Sequence, residues 1–108
     1  MTPHEMTIQI ARACKLFNNL RRFAAEHGGA LNMQRAKRVI GKSAGYGIMN
    51  NTDSPRGNRY KADSFLWSPI PAYFATAEAC EQAIEAFRNE IDWYMTEYDP
   101  MPEGWWDE

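Results

Sequence analysis

The stretch Tyr73-Phe74-Ala75-Thr76-Ala77-Glu78-Ala79-Cys80-Glu81-Gln82-Ala83-Ile84-Glu85-Ala86-Phe87-Arg88-Asn89-Glu90-Ile91 decides the fold. Two aromatic, strand-favouring residues run into Thr76, whose hydroxyl suits a helix N-cap, and Glu78 follows where the positive end of a helix dipole favours an acid. Beyond the cap, Cys80, Ile84, Phe87, Ile91 and Tyr94 or Met95 recur at three- and four-residue intervals. Glu81, Gln82, Glu85, Arg88, Asn89 and Asp92 fall on the other face. The spacing predicts one long helix from Ala77 to Thr96, closing before Asp99-Pro100 because a proline disfavours helical geometry in the residue before it. Upstream, Ala72-Tyr73-Phe74 reads as a short strand. Ser68-Pro69-Ile70-Pro71 interrupts pairing before it, since neither proline has an N–H to donate.

The N-terminal third carries a second helix signal. Thr2-Pro3-His4-Glu5 fits a capping box with proline at the first helical position. Met6, Ile10, Ala13, Cys14, Phe17, Leu20 and Ala24 then form one apolar stripe, which Gly28-Gly29 stops, while Arg12, Lys15, Arg22 and Glu26 fit a solvated face. Between the helices, Leu31 to Ile40 reads as a short helix capped by Asn32, with a strand beginning at Arg38 as the alternative. Gly45 to Met49 and Arg59 to Trp67 then suggest two strands of a hairpin, joined by Asn50 to Asn58, a run rich in turn residues. The fold class expected is α+β in a single domain over residues 1–100: an N-terminal helix, a small antiparallel sheet of about three strands, and a long C-terminal helix packed on the sheet. Phe17, Leu20, Phe65, Trp67, Phe74, Ile84, Phe87 and Ile91 are its expected core, and residues 101–108 its acidic, Trp-containing tail.

Residues 73–84, a strand ending in Tyr-Phe, a Thr cap and a Glu/Ala-rich amphipathic helix, resemble the C-terminal half of small phage and prophage accessory proteins. Some of those are anti-defence inhibitors of the anti-CRISPR kind, which occupy a surface on a host complex. The resemblance covers about a third of the chain, and it implies a non-enzymatic, phage-type inhibitor working in the host cytoplasm. No functional residue is carried over from it.

Charge is the other strong signal. Eleven of the twelve Lys and Arg lie in residues 1–62, and eleven of the fourteen Asp and Glu follow them, so a net charge of −2 hides two oppositely charged halves. Such asymmetry points to electrostatic binding. In the acidic half, Glu78, Glu81, Glu85, Asp92, Glu97 and Asp99 can mimic the phosphates of a nucleic acid toward a host protein complex, with Trp105 and Trp106, and Trp93, Tyr94 and Tyr98 before them, as aromatic anchors. In the basic half, Arg35, Lys37, Arg38, Lys42, Arg56, Arg59 and Lys61, with Tyr46 and Tyr60 available to stack on bases, suit a nucleic acid or a phosphorylated nucleotide. The plainer reading pairs these cations with the acidic helix of the same fold or of a second copy in a homodimer.

Enzymatic chemistries fare less well. Ala36-Lys37-Arg38-Val39-Ile40-Gly41-Lys42-Ser43 is similar to a phosphate-binding loop but lacks its first glycine and a preceding strand. His4 and His27 stand far apart and outside ligand spacing, so no metal or cofactor is expected. Cys14 and Cys80 both fall on apolar stripes, which predicts buried free thiols rather than nucleophiles or a disulfide. Glu81 and Glu85 lie one turn apart on a solvated face, where nothing separates their pKa values for acid-base work. No stretch reaches the roughly 20 apolar residues of a membrane span, and the start lacks the basic and apolar regions of a secretion signal, which predicts a cytoplasmic chain.

Overall fold

The computed structural model describes residues 2–29, 33–41, 45–50, 60–63 and 68–98. Its elements are α1 (Pro3–Glu26), α2 (Met33–Val39), β1 (Gly47–Asn50), β2 (Tyr60–Asp63), α3 (Ala77–Ala86) and α4 (Arg88–Thr96). The architecture is α+β, with helices around a small antiparallel sheet.

α1 starts as its sequence requires. The Glu5 amide donates to Thr2 Oγ1 at 3.2 Å and the Thr2 amide to Glu5 Oε2 at 3.4 Å, closing the capping box ahead of Pro3. The helix ends where Gly28 takes φ +80° and the Gly29 amide turns back to the Ala24 carbonyl at 2.7 Å. A Cβ at Gly29 would collide with the Tyr73 carbonyl, so the second glycine lets the end of α1 lie against the strand-like segment before α3.

β1 and β2 pair antiparallel, with Gly47 opposite Asp63, Ile48 opposite Ala62, Met49 opposite Lys61 and Asn50 opposite Tyr60. The expected third strand contracts to one bridge. Phe74 and Tyr46 exchange two backbone hydrogen bonds of 2.8 Å, and the Ala72 amide instead turns in to the Ile70 carbonyl. The tight Pro69-Ile70-Pro71 passage supplies the reason, because it bends the chain immediately before any longer ladder could form.

The core lies between α1, the sheet and α3, with Leu16, Leu20, Ala24, Ile48, Tyr60, Ile70, Ala72, Phe74, Ala79, Cys80, Ala83, Ile84 and Ile91 buried together. Phe74 has no exposed surface, and burying a side chain of that size contributes about 2–3 kcal/mol. Of the expected core, Leu20, Phe74, Ile84 and Ile91 are buried, while Phe17 and Phe87 pack against its margin half-buried. Phe65 and Trp67 lie outside the described residues. A second small cluster joins Ala36 of α2 and Tyr73, with Ile40 beside them.

Two expectations are corrected. The stripe on α1 sits further round the helix than its spacing suggested: Ala13, Leu16, Leu20 and Ala24 are buried, whereas Ile10 is 45% exposed and Cys14 is exposed. α4 meets α1 from Arg12 onward, through Arg12 with Glu90 and Phe17 with Tyr94, and the buried positions of α1 begin at Ala13. The long C-terminal helix is also two helices. Phe87 adopts φ −117° and ψ 24°, and α4 begins after it with no side-chain cap. There is no glycine or proline at the break. Backbone continuity persists through Phe87, whose amide reaches the Ala83 carbonyl at 3.0 Å and whose carbonyl accepts from Ile91 at 2.9 Å. Tertiary contacts redirect the chain here: the Phe87 ring meets Phe23 edge-on at 6.2 Å, and α1 holds Glu90 one turn later.

Candidate functional site

Thr76 builds the acidic surface. Its hydroxyl accepts the Ala79 amide at 3.1 Å, which starts α3 with Ala79, Cys80, Ala83 and Ile84 turned into the core. The same periodicity turns Glu78, Glu81 and Glu85 outward, all exposed. Glu78 lies in the first turn, where the helix dipole stabilises it, and Glu85 accepts from the Arg88 guanidinium at 2.5 Å across the break. Among the described residues, Glu78 and Glu81 make no ion pair. Asp92 serves the fold as well, because its carboxylate accepts the Tyr60 hydroxyl at 2.7 Å and ties α4 to β2. Glu97 is exposed at the end of α4. Asp99, Trp105 and Trp106 lie outside the described residues.

Where α4 crosses α1, four half-buried rings form a continuous row. Phe17 meets Tyr94 edge-on at 5.1 Å, Tyr94 meets Tyr98 at 4.9 Å, and Tyr98 meets Trp93 at 5.7 Å. Arg12 closes the row by lying 4.1 Å over the Trp93 ring while forking onto Glu90 with bonds of 2.9 and 2.7 Å. The hydrogen bonds that Arg12 donates to Glu90 raise the Arg12 pKa, and the same bonds lower that of Glu90, helped by the charges of Arg12 and Lys15 against a desolvation that opposes them. Burial raises the Tyr94 phenol, with Tyr98 adding to it. Beside the pair, a shallow groove of about 530 Å³ is lined by Arg12, Lys15, Leu16, Asn19, Phe87 and Glu90. On sequence alone Arg12 and Lys15 fall on an ordinary solvated face. Glu90, the partner of Arg12, lies 78 positions away from it, and no local pattern links the two.

The basic residues are less concentrated than the sequence suggested. Arg35, Lys37 and Arg38 are all exposed on α2, Lys61 lies on β2 beside Asp63 at 3.8 Å, and Lys42, Arg56 and Arg59 fall outside the described residues. The proposed stacking role of Tyr60 is corrected: its ring is buried and its hydroxyl is committed to Asp92, so it has no face to offer a base. Tyr46 is half-buried and bridged to Phe74.

Cys80 is enclosed in the core, where burial first and the charge of Glu81 second push its thiol up to about 12, which leaves it protonated and unreactive at neutral pH. Cys14, expected to be buried with it, is exposed and free. Among the described residues, no three or more His, Cys, Asp or Glu are placed to hold a metal ion, and no helix is long and apolar enough to cross a membrane. What the surface offers chemically is the exposed carboxylates of α3 and a row of half-buried aromatic rings where α4 meets α1. No family model matches the chain, and no curated protein or solved structure shows significant similarity to it.

Proposed function

We propose that the protein is a non-enzymatic, phage-type inhibitor that docks on a host protein complex through its C-terminal helices. The observation that carries the reading is the adjacency of two features in the chain. Glu78, Glu81 and Glu85 stand exposed on α3, and the next helix presents Trp93 and Tyr94 half-buried against α1, with Tyr98 just beyond its end packed beside them. Partially exposed aromatic side chains on a rigid element are the usual anchors of a protein interface. Surrounding charge selects the partner and accelerates encounter, so an acidic rim favours a basic surface such as the nucleic-acid channel of a host complex. Asp99, Trp105 and Trp106 extend the same chemistry along the sequence, and the anti-defence role rests on the resemblance of residues 73–84.

A basic-surface reading is favoured by one observation, the exposure of Arg35, Lys37 and Arg38 together on α2. It makes the protein a binder of nucleic acid or of a phosphorylated nucleotide. A pull-down of the tagged protein from bacterial lysate, with and without nuclease, separates the two. The inhibitor reading expects a stoichiometric protein partner that survives nuclease, is lost on Glu78→Lys with Glu81→Lys, and is retained on Arg35→Gln with Arg38→Gln. Recovery of nucleic acid or nucleotide alone, lost with the arginines, would replace it.

A further inference from the structure

β2 has one edge toward β1 and one turned away from it. Tyr46 directs its N–H and C=O to Phe74, and the Ile48 carbonyl accepts the Ser68 hydroxyl at 3.1 Å, so these two residues point away from β2. Alternation then aims Gly47 and Met49 at β2, where they face Asp63 and Lys61. It follows that Ala62, between those two, turns its backbone N–H and C=O to the opposite edge. Among the described residues, β1 is the only strand paired with β2 and no strand lies beyond it.

We propose that a second copy of this chain adds its own β2 antiparallel to this edge, with the two-fold axis between the two Ala62 residues. Three features of β2 select that occupant and that register. An isologous interface must be self-complementary, and pairing about Ala62 places Lys61 of each copy opposite Asp63 of the other. Those two positions form the non-hydrogen-bonded pair of such a ladder, in which side chains approach closest and opposite charges stabilise. Ala62 itself becomes the hydrogen-bonded pair on the axis, and its single methyl group, half-buried toward the core, leaves room for the matching methyl of the other copy. The charges also have a meaning on a lone edge, where they discourage indiscriminate pairing. Here they additionally favour a copy of the same strand, because a strand without the complementary Asp and Lys leaves these charges uncompensated or opposed.

The joined sheet would run β1, β2, then β2 and β1 of the partner, with both copies of α3 on one face. An edge of four residues is short, so the dimer belongs to the weak, concentration-dependent class rather than the obligate one.

Sedimentation velocity over a dilution series tests the proposal with the full chain. The wild type should show a reversible monomer–dimer equilibrium. Lys61→Asp alone or Asp63→Lys alone sets like charges opposite one another at both ends of the pairing and should raise the dimer dissociation constant about tenfold or more. Combining Lys61→Asp with Asp63→Lys should restore it, a result that mere loss of an edge charge cannot produce. A wild type that stays monomeric at its highest soluble concentration overturns the proposal. So does a dimer indifferent to the single changes, or one that the double change fails to rescue. Should the charge variants not fold, Ala62→Cys in a Cys14→Ser background reads the same axis. The paired Cα atoms would stand about 5.5 Å apart, within disulfide reach, and mild oxidation should give a covalent dimer. Absence of that dimer overturns the register.

Discussion

Two apolar residues on one stripe of α1 should differ sharply in what they contribute. Leu20 has no exposed surface and belongs to one buried cluster with Phe74, Ile84 and Ile91, whereas Ile10, three turns earlier, is 45% exposed and outside that cluster. Truncation of a fully buried leucine to alanine removes its transfer energy and leaves a cavity, a loss of about 3–5 kcal/mol. For Ile10, three carbons at about 0.8 kcal/mol each would give about 2.4 kcal/mol in full burial. Only about half of that applies here, and the better helix propensity of alanine returns about 0.4 kcal/mol, leaving a loss near 1 kcal/mol. Urea denaturation, followed by far-ultraviolet circular dichroism on dilute protein, measures both. With a slope of about 1.5 kcal/mol per molar urea, Leu20→Ala should lower the midpoint by about 2 M or more and Ile10→Ala by less than about 1 M. A domain of this size has roughly 5–15 kcal/mol to lose, so Leu20→Ala should still fold. Equal shifts, or a larger one for Ile10→Ala, would refute the conclusion that the core ends partway along α1.

Two further tests concern titration. The Cys80 thiol is raised to about 12 in the folded chain against about 8.5 unfolded, so the unfolded state releases its proton first and stability should fall as pH climbs from about 8.5 toward 12. That loss is at most about 1.4 kcal/mol per pH unit; Cys80→Ala should flatten the alkaline limb of the stability profile, and parallel limbs for the two proteins would contradict the burial. Glu90 has a lowered pKa through Arg12, so its contribution is present above the ordinary carboxylate range and disappears as pH drops through the folded value. Glu90→Gln should therefore show a shallower acid limb than the wild type in acid titrations followed by circular dichroism, and the effect should shrink with added salt because the pair is exposed.

Local chemistry made much of the fold legible. Thr2, Pro3 and Glu5 specify the start of α1 through bonds within four residues, Thr76 does the same for α3, and both caps form as their sequence implies. The hairpin strands follow from composition, since Ile48 and Tyr60 supply the apolar residues that the sheet buries. What the sequence did not reveal depends on contacts between distant segments. Nothing near Phe87 forbids a helix, and the break arises from Phe23 and Arg12, which lie on α1. Ile70, enclosed between two prolines, falls in a segment whose sequence signals only an interruption of pairing, yet it is fully buried because the bent passage directs it inward. In the candidate site, the outward carboxylates of α3 were readable from period alone. The Arg12, Glu90 and Trp93 cluster was not, because cation, acid and ring come together only when α4 is turned across α1.

The split of charge along the chain acquires a physical meaning once β2 is placed. The boundary between the basic and acidic halves falls at Ala62, inside the strand, with Lys61 ending one and Asp63 beginning the other. Most of the charge on either side stays at the surface, since Arg35, Lys37, Arg38, Glu78 and Glu81 are all exposed, and folding neutralises only selected members such as Arg12 with Glu90. A chain with that division has two ways to satisfy its surface potential: a partner of complementary charge, or its own copy reversed. Antiparallel pairing reverses the sequence across the axis, so a sign change centred on one residue becomes attraction at both of its neighbours. The position of that sign change therefore matters more than the net charge of −2, which predicts neither contact. Moving it should abolish self-association while leaving the carboxylates of α3 available to another partner, and this separates the two interactions in a single protein.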